Sequence, residues 1–372
     1  MKVMTIVGTR PEIIKLSRTI SELDRCFKNI LVNTNQNFSY ELGRIFFKDL
    51  NIRKPDYNLK VDNKINFKTI SKTISDCGEI MMKEKPDLIV ILGDTNSSYA
   101  AISAKKLKIP IFHLEAGNRC FDQDVPEEIN RRIIDHTSEI NLVYTEHARQ
   151  NLIREGIHPQ TIIKSGSPMK EVINFYRDKI NKSKILEKLN ISKKNYTIIS
   201  IHRNENLDIE NNLSDILKSL ELLSKRNGKI IFSTHPALIK KLKKLKKIKF
   251  FKKIVTSIKP LCFTDYIKLQ ENSSLIISDS GTLMEESAIL NLDSIMIRNS
   301  HERPEGMDKS SLIVSGLKFN NIKESINVLK KIRHNKVIPE DYNINDFSKK
   351  IPKIILSYFG YVKYFYKLTN NK

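Results

Sequence analysis

Short apolar runs rich in β-branched residues alternate along this chain with stretches long enough for amphipathic helices. In the first half the runs stand at Val3–Val7, Ile30–Asn33, Leu88–Leu92, Ile109–His113, Leu142–Tyr144 and Ile162–Lys164. In the second half they recur at Thr197–Ile201, Ile230–Ser233, Ile254–Ser257, Leu275–Ser278 and Ser294–Ile297. Helical periodicity fills most of the gaps, as in Glu12–Leu23 behind Pro11, Leu213–Leu223 and Leu283–Leu290. Runs this short and apolar suit strands covered on both faces, and strand–helix alternation implies parallel sheets. At 372 residues the chain is too long for one ordinary core. The expected fold class is therefore α/β, with two doubly wound Rossmann-like domains over residues 1–182 and 183–345. The aromatic, basic segment 346–372 is expected to form a last helix that packs back on the first domain.

The formal charge of +22 raises the question of nucleic acid, because basic surfaces attract phosphate polymers. The excess is spread along the whole chain, so no nucleic-acid partner is expected. Its densest run, Lys240 to Lys253, carries apolar residues at helical spacing and reads as one solvated helix face leading into a strand. No apolar run approaches the roughly 18 residues of a spanning helix, and no signal peptide is legible at the start. The cysteines Cys26, Cys77, Cys120 and Cys262 stand far apart with no CxxC pair, which suits a reducing cytoplasm and argues against a zinc site.

In sheets of this kind ligands gather beyond the carboxyl ends of the strands, and the polar clusters fall there. Gly8-Thr9-Arg10-Pro11-Glu12 follows the first strand, with Arg10 where an anion would meet a helix dipole and Lys15 one turn on. It is not a GxGxxG fingerprint, so NAD is not expected. Gly93-Asp94-Thr95 follows the third run, where Asp94 fits a helix cap or an active site equally well. His113, Glu115, Asn118 and Arg119 come next, followed by Glu127, Glu128, Arg131, Asp135 and His136. An i,i+4 ion pair would account for Glu127 and Arg131, but not for His113 and Glu115 emerging from a buried strand. In the second half His202 and His235 stand at equivalent strand ends, which suggests one shared ligand. Asp279-Ser280-Gly281-Thr282 opens a helix whose free N–H groups suit a diphosphate and whose Glu285 or Glu286 suits a ribose diol. A polar loop, His301 to Gly306 with Arg303, follows the last strong strand.

Taken in order, GTRPE with Lys15, GDT, HLEAGNR, PEEINR, HRNEN, SDSGT with its two glutamates, and HERPE resemble the motifs of the non-hydrolysing UDP-N-acetylglucosamine 2-epimerase family. The match runs from about Lys2 to Leu317. The resemblance implies a GT-B-type architecture, with the substrate in a cleft between the domains, a homodimer, and neither NAD nor metal as cofactor. HLEAGNRCFDQDVPEEINR, GSPMKE and HERPEGMD look nearer the branch that makes UDP-N-acetyl-L-fucosamine from UDP-2-acetamido-2,6-dideoxy-L-talose for capsule or O-antigen precursors. The commoner branch has Gly-Gly where this chain has Gly281-Thr282, and a tryptophan-containing segment where this chain has no Trp. UDP-GlcNAc/UDP-ManNAc interconversion and L-rhamnosamine/L-quinovosamine epimerisation are the alternatives, and a GT-B glycosyltransferase is the rival of another class.

The C2 hydrogen of an acetamido sugar has no adjacent carbonyl, so a stabilised carbanion is out of reach. Without NAD to make a transient ketone, elimination of UDP to a 2-acetamidoglycal and its re-addition is the reasonable route, and the resemblance implies the same one. Charge growing on the diphosphate needs preorganised donors, for which Arg10, His202, Ser280 and Gly281 are the candidates. Proton transfer on opposite faces of C2 needs carboxylates, assigned as a group to Asp94, Glu115 and Glu127, with His202 beside them. By resemblance Glu286 holds the ribose, and Tyr266 or Phe263 the uracil. Lys15, Arg131, His235, Thr282 and Arg303 complete the expected substrate-binding set.

Overall fold

The computed structural model describes residues 1–36, 43–59, 66–201, 210–225, 228–234, 236–332 and 337–365. The chain divides into two compact units, Met1–Phe175 with Glu340–Lys372, and Tyr176–Pro339. These limits fall a few residues before the expected 182/183 and 345/346. The reason for the first is local: Tyr176 packs edge-on against Phe263, and Arg177 pairs with Glu271, both partners lying on that unit's helix Phe263–Glu271.

The first unit contains strands β1 (Lys2–Val7), β2 (Lys28–Asn33), β3 (Tyr57–Asn58), β4 (Leu88–Leu92), β5 (Ile111–Ala116), β6 (Ile140–Val143) and β7 (Ile162–Lys164). They form one parallel sheet in the order β3-β2-β1-β4-β5-β6-β7. The second unit contains β8 (Tyr196–Ser200), β9 (Lys229–Ser233), β10 (Thr256–Ile258), β11 (Leu275–Ser278), β12 (Ser294–Met296) and β13 (Ile313–Val314). Its sheet is also parallel, in the order β10-β9-β8-β11-β12-β13. The apolar runs became strands because both faces are covered. Met4, Ile6, Val32, Ile89 and Ile91 are buried against Cys77, Met81, Ala100 and Ala104 of the covering helices. The edge strands β3 and β13 escaped the sequence reading: each is two residues long, β3 being Tyr-Asn with no apolar run and β13 lying in an apolar run of only three residues, Leu312 to Val314.

Two helical expectations need revision or refinement. The lysine-rich run is not one helix but two, Pro236–Lys244 and Ile248–Ile254, broken where Lys246 takes a left-handed conformation at φ 56°. The last helix, Phe347–Phe365, packs on the helix Arg10–Cys26, burying Phe347, Ile351, Ile355 and Val362 along one stripe. Each such aliphatic or aromatic side chain contributes about 1.5–3 kcal/mol on burial, which is ample to fix the tail to the first unit.

In each sheet the order of strands reverses once, between β1 and β4 and between β8 and β11. Crevices open at such switch points beyond the strand ends. Gly8–Glu12 and Gly93–Thr95 flank the first of them, and Asp279–Thr282 borders the second.

Candidate active site

The loop after β1 is held from below by a buried carboxylate. Glu12 Oε2 accepts the Gly8 N–H at 2.5 Å and the Thr9 N–H at 3.3 Å. The Ser97 hydroxyl reaches both of its oxygens, at 2.8 and 2.9 Å, and the Thr95 hydroxyl donates to Oε1. Glu12 thus ties the β1 loop to the loop after β4, across the switch point. Burial pushes its carboxyl up to about 7, against the opposing pull of Thr95, Ser97, Gly8 and Thr9. Arg10 stands half-buried at the first position of the helix.

Glu115 ends β5 at a register shift between Leu114 and Ala116, with φ at 65°. A left-handed glutamate is a strained backbone state that persists only where its surroundings over-determine it. Here they do. Lys15 Nζ donates to Glu115 Oε1 and Oε2, at 2.8 Å each, and the Tyr144 hydroxyl approaches Oε2 at 3.4 Å. Lys15 Nζ also lies 5.3 Å from the Tyr144 ring centroid, and Phe347 of the last helix packs edge-on behind that ring.

Asp94 follows Gly93, whose φ of 72° suits glycine. Gly93 N–H bonds the Leu114 carbonyl at 2.9 Å, which brings the Asp94 and Glu115 strand ends side by side. Arg131 Nε donates to Asp94 Oδ2 at 2.6 Å, and Asn130 Nδ2 to the Asp94 carbonyl at 2.7 Å. The ion pairs of Arg131 run to Asp94 and, at 3.0 Å, to Glu128. Burial opposes ionisation of Glu128, but the Cys120 N–H and thiol and Arg131 outweigh it and hold the group below the usual carboxylate range. Glu127 is half-buried in the first turn of the helix Pro126–Thr137.

In the second unit, Ser280 N–H bonds the Ser278 hydroxyl at 3.1 Å, shaping the turn before the helix Leu283–Leu290. Glu286 accepts the Thr282 hydroxyl at 3.0 Å and the Gln270 amide at 2.7 Å. Glu285 turns inward and pairs with Arg303 at 3.2 Å. Gly281 lies against a second ion pair: a Cβ there would stand 2.6 Å from Glu302 Oε1 and 3.4 Å from Arg298 Nη1. Phe263 is buried edge-on against Tyr176, whereas Tyr266 is half-buried. Among the described residues no group of three or more His, Cys, Asp or Glu is placed to hold a metal ion.

The first unit therefore brings Arg10, Lys15, Asp94, Glu115 and Arg131 around one switch point. The second gathers Ser280, Gly281, Thr282, Glu286 and Arg303 at one helix start. His202 and His235 lie outside the described residues. Lys15 and Arg131, expected in the substrate-binding set, pair with Glu115 and Asp94 at this switch point. Sequence reasoning missed Ser97, Asn130, Gln270, Arg298 and the use of Glu12, since nothing in local spacing shows which distant loop a buried polar group will join.

The two Rossmann-like units are those of the GT-B-type fold, and similarity to known proteins places the chain among the UDP-sugar 2-epimerases, which are isomerases. Residues 21–356 match the family model described as UDP-N-acetylglucosamine 2-epimerase, and the chain belongs to that family. It is 37% identical over 342 residues to the UDP-N-acetylglucosamine 2-epimerase of Methanococcus maripaludis, covering 90% of this chain and 93% of the relative. It is 30% identical to the UDP-2,3-diacetamido-2,3-dideoxy-D-glucuronate 2-epimerase of Pseudomonas aeruginosa, covering 87% and 91%. Among solved structures, the Rickettsia bellii UDP-N-acetylglucosamine 2-epimerase superposes with TM-score 0.93 at 48% identity over 99% of this chain and 100% of that one. The Methanocaldococcus jannaschii enzyme in complex with UDP-GlcNAc and UDP gives 0.90 at 33% identity over 96% and 100%. No helix among the described residues is long and apolar enough to cross a membrane.

Proposed function

We propose that this epimerase inverts C2 of a UDP-linked 2-acetamido sugar by eliminating and re-adding UDP. The C2 proton passes to a carboxylate as the C1–O pair leaves with UDP, and C1 and C2 become the double bond of a 2-acetamidoglycal. Reprotonation of C2 from the other face and return of the UDP oxygen to C1 complete the inversion. The observation that carries this reading is the pair of adjacent strand ends bearing Asp94 and Glu115, each carboxylate already matched to a buried cation. Asp94, Glu115 and Glu127 are the proton-transfer group. Arg10, Ser280 and Gly281 are the donors to the diphosphate, joined by His202 and His235. Glu286 takes the ribose, by the family resemblance, and Tyr266, more accessible than Phe263, takes the uracil.

For the sugar itself we infer UDP-2-acetamido-2,6-dideoxy-L-talose, giving UDP-N-acetyl-L-fucosamine as a capsule or O-antigen precursor, from the HLEAGNRCFDQDVPEEINR and HERPEGMD segments. UDP-GlcNAc is the second reading, favoured by the names of the Rickettsia bellii and Methanococcus maripaludis relatives. The reading carries with it a homodimer in the cytoplasm, by family analogy. The deciding experiment incubates the protein with each UDP-sugar in D2O and follows the anomeric protons by NMR. The expected result is inverted product with deuterium at C2, faster for the 6-deoxy sugar. Product lacking that label would overturn the elimination route, and faster turnover of UDP-GlcNAc would overturn the choice of sugar.

A further inference from the structure

Behind the carboxylates lies a polar cluster that solvent does not reach: His113 is 1% exposed and Asp135 0%. His113 Nε2 stands 2.9 Å from the Gly93 carbonyl oxygen. A carbonyl only accepts, so Nε2 carries the proton. The opposite ring nitrogen, Nδ1, lies 3.0 Å from Asp135 Oδ1. Asp135 in turn accepts the Gly117 N–H at 3.2 Å on each oxygen and Arg119 Nη1 at 2.7 Å on Oδ2. Arg119 is then closed off by Glu155, at 2.8 and 2.6 Å.

These contacts join two particular loops. Gly93 immediately precedes Asp94, and Gly117 comes two residues after Glu115. We infer that His113 and Asp135 form a positioning pair, a buried brace that fixes the separation between the Asp94 and Glu115 backbones so that their carboxylates meet one sugar carbon. The inference rests on the proposed proton transfer at those groups. Both braced segments have left-handed backbone, at Gly93 and at the strained Glu115, and such states need their surroundings to hold them. The brace is stiff because one helix supplies its parts. Asn130 and Arg131 bind Asp94 directly, while Asp135, one turn further along Pro126–Thr137, accepts the Gly117 N–H and stands with Oδ1 3.0 Å from His113 Nδ1. Neither brace residue touches the Asp94 or Glu115 side chain in any contact described above; both act through the main chain.

The two ring nitrogens allow the brace to be cut on either side. An asparagine amide replaces Nδ1 and a glutamine amide replaces Nε2, so His113→Asn keeps the Asp135 side and His113→Gln keeps the Gly93 side. Each is expected to lower kcat by about 10- to 100-fold, the scale of a misplacement near 1 Å. KM and the Kd for UDP should stay within about threefold, because the brace sets where the two carboxylates stand at the reacting carbon and holds no part of UDP. Asp135→Asn should behave alike; if it fails to fold, the two His113 variants decide. Variants that melt earlier yet keep kcat per folded molecule would make the pair merely structural and overturn the inference. So would a parallel fall in kcat, KM quality and UDP affinity. A wild-type protein that does not exchange the C2 hydrogen ends the epimerase reading itself, whereas exchange that survives both His113 variants unchanged ends only the brace.

Discussion

Lys15 and Glu115 stand 100 residues apart in the chain and meet with Nζ 2.8 Å from both carboxylate oxygens. The lysine comes from the helix after β1 and the glutamate from the end of β5, so the contact closes over the intervening strand β4. With its side chain 2% exposed, Lys15 has little water to solvate it, and Glu115 supplies the counter-charge. A carboxylate held this way is fixed in direction.

Removing that carboxylate chemically, without changing its shape, tests its role. Glu115→Gln and Asp94→Asn should each leave UDP binding intact and lower turnover by at least about 100-fold, the low end for a catalytic proton transfer. Steady-state rates beside UDP calorimetry check both halves. Normal turnover in both variants contradicts the assignment.

Breaking the pair from the other side tests stability. Lys15→Met leaves Glu115 without its cation, at a cost of about 3 kcal/mol for a broken buried pair. For a unit of this size that lowers the melting temperature by about 6–12 °C. An unchanged melting curve would show that solvent already screens the pair.

Glu12 gives a pH dependence with a definite sign. Its folded-state value is raised from 4.5 to about 7, so the folded protein holds this proton more tightly than the unfolded chain. Stability from this group is therefore full in acid, falls as pH rises from 4.5 to about 7, and levels off above. The total loss is on the order of 3 kcal/mol. Glu12→Gln should remove that slope. Denaturant titrations of both proteins at several pH values between 5 and 8 check it, and parallel curves would sink it.

Gly281 has little room for a methyl group, because a Cβ would strike Glu302 Oε1, and the other oxygen of that buried carboxylate, Oε2, is paired with Arg298 at 3.1 Å. Gly281→Ala should weaken UDP binding by about tenfold or more, near 1.4 kcal/mol. Turnover at saturating substrate should fall far less. Calorimetry that shows wild-type affinity would place the diphosphate elsewhere.

How much was legible beforehand differs between backbone and side chains. Strands such as Leu88–Leu92 and Leu275–Ser278 and the helix Leu283–Leu290 stand where their periodicity placed them, because burial on a sheet leaves a local signature. The strand-end clusters carrying Arg10, Asp94, Glu115 and Ser280 were legible for the same reason. Partners were not. The four-residue spacing of Glu127 and Arg131 did not reveal that Arg131 pairs with Asp94 and Glu128. Glu12 looked like part of a helix start and proved to bind two loops together.

The sequence by itself determined the alternation of strand and helix, and with it two parallel sheets whose loops collect polar groups at their carboxyl ends. Those outcomes depend on neighbours within a turn or two of chain. Only the tertiary structure decided that Lys15 answers Glu115, that Arg131 answers Asp94, and that His113 and Asp135 stand behind both. Such pairings are set by strand order and by which groups are desolvated together, and neither quantity is written in the spacing of residues along the chain.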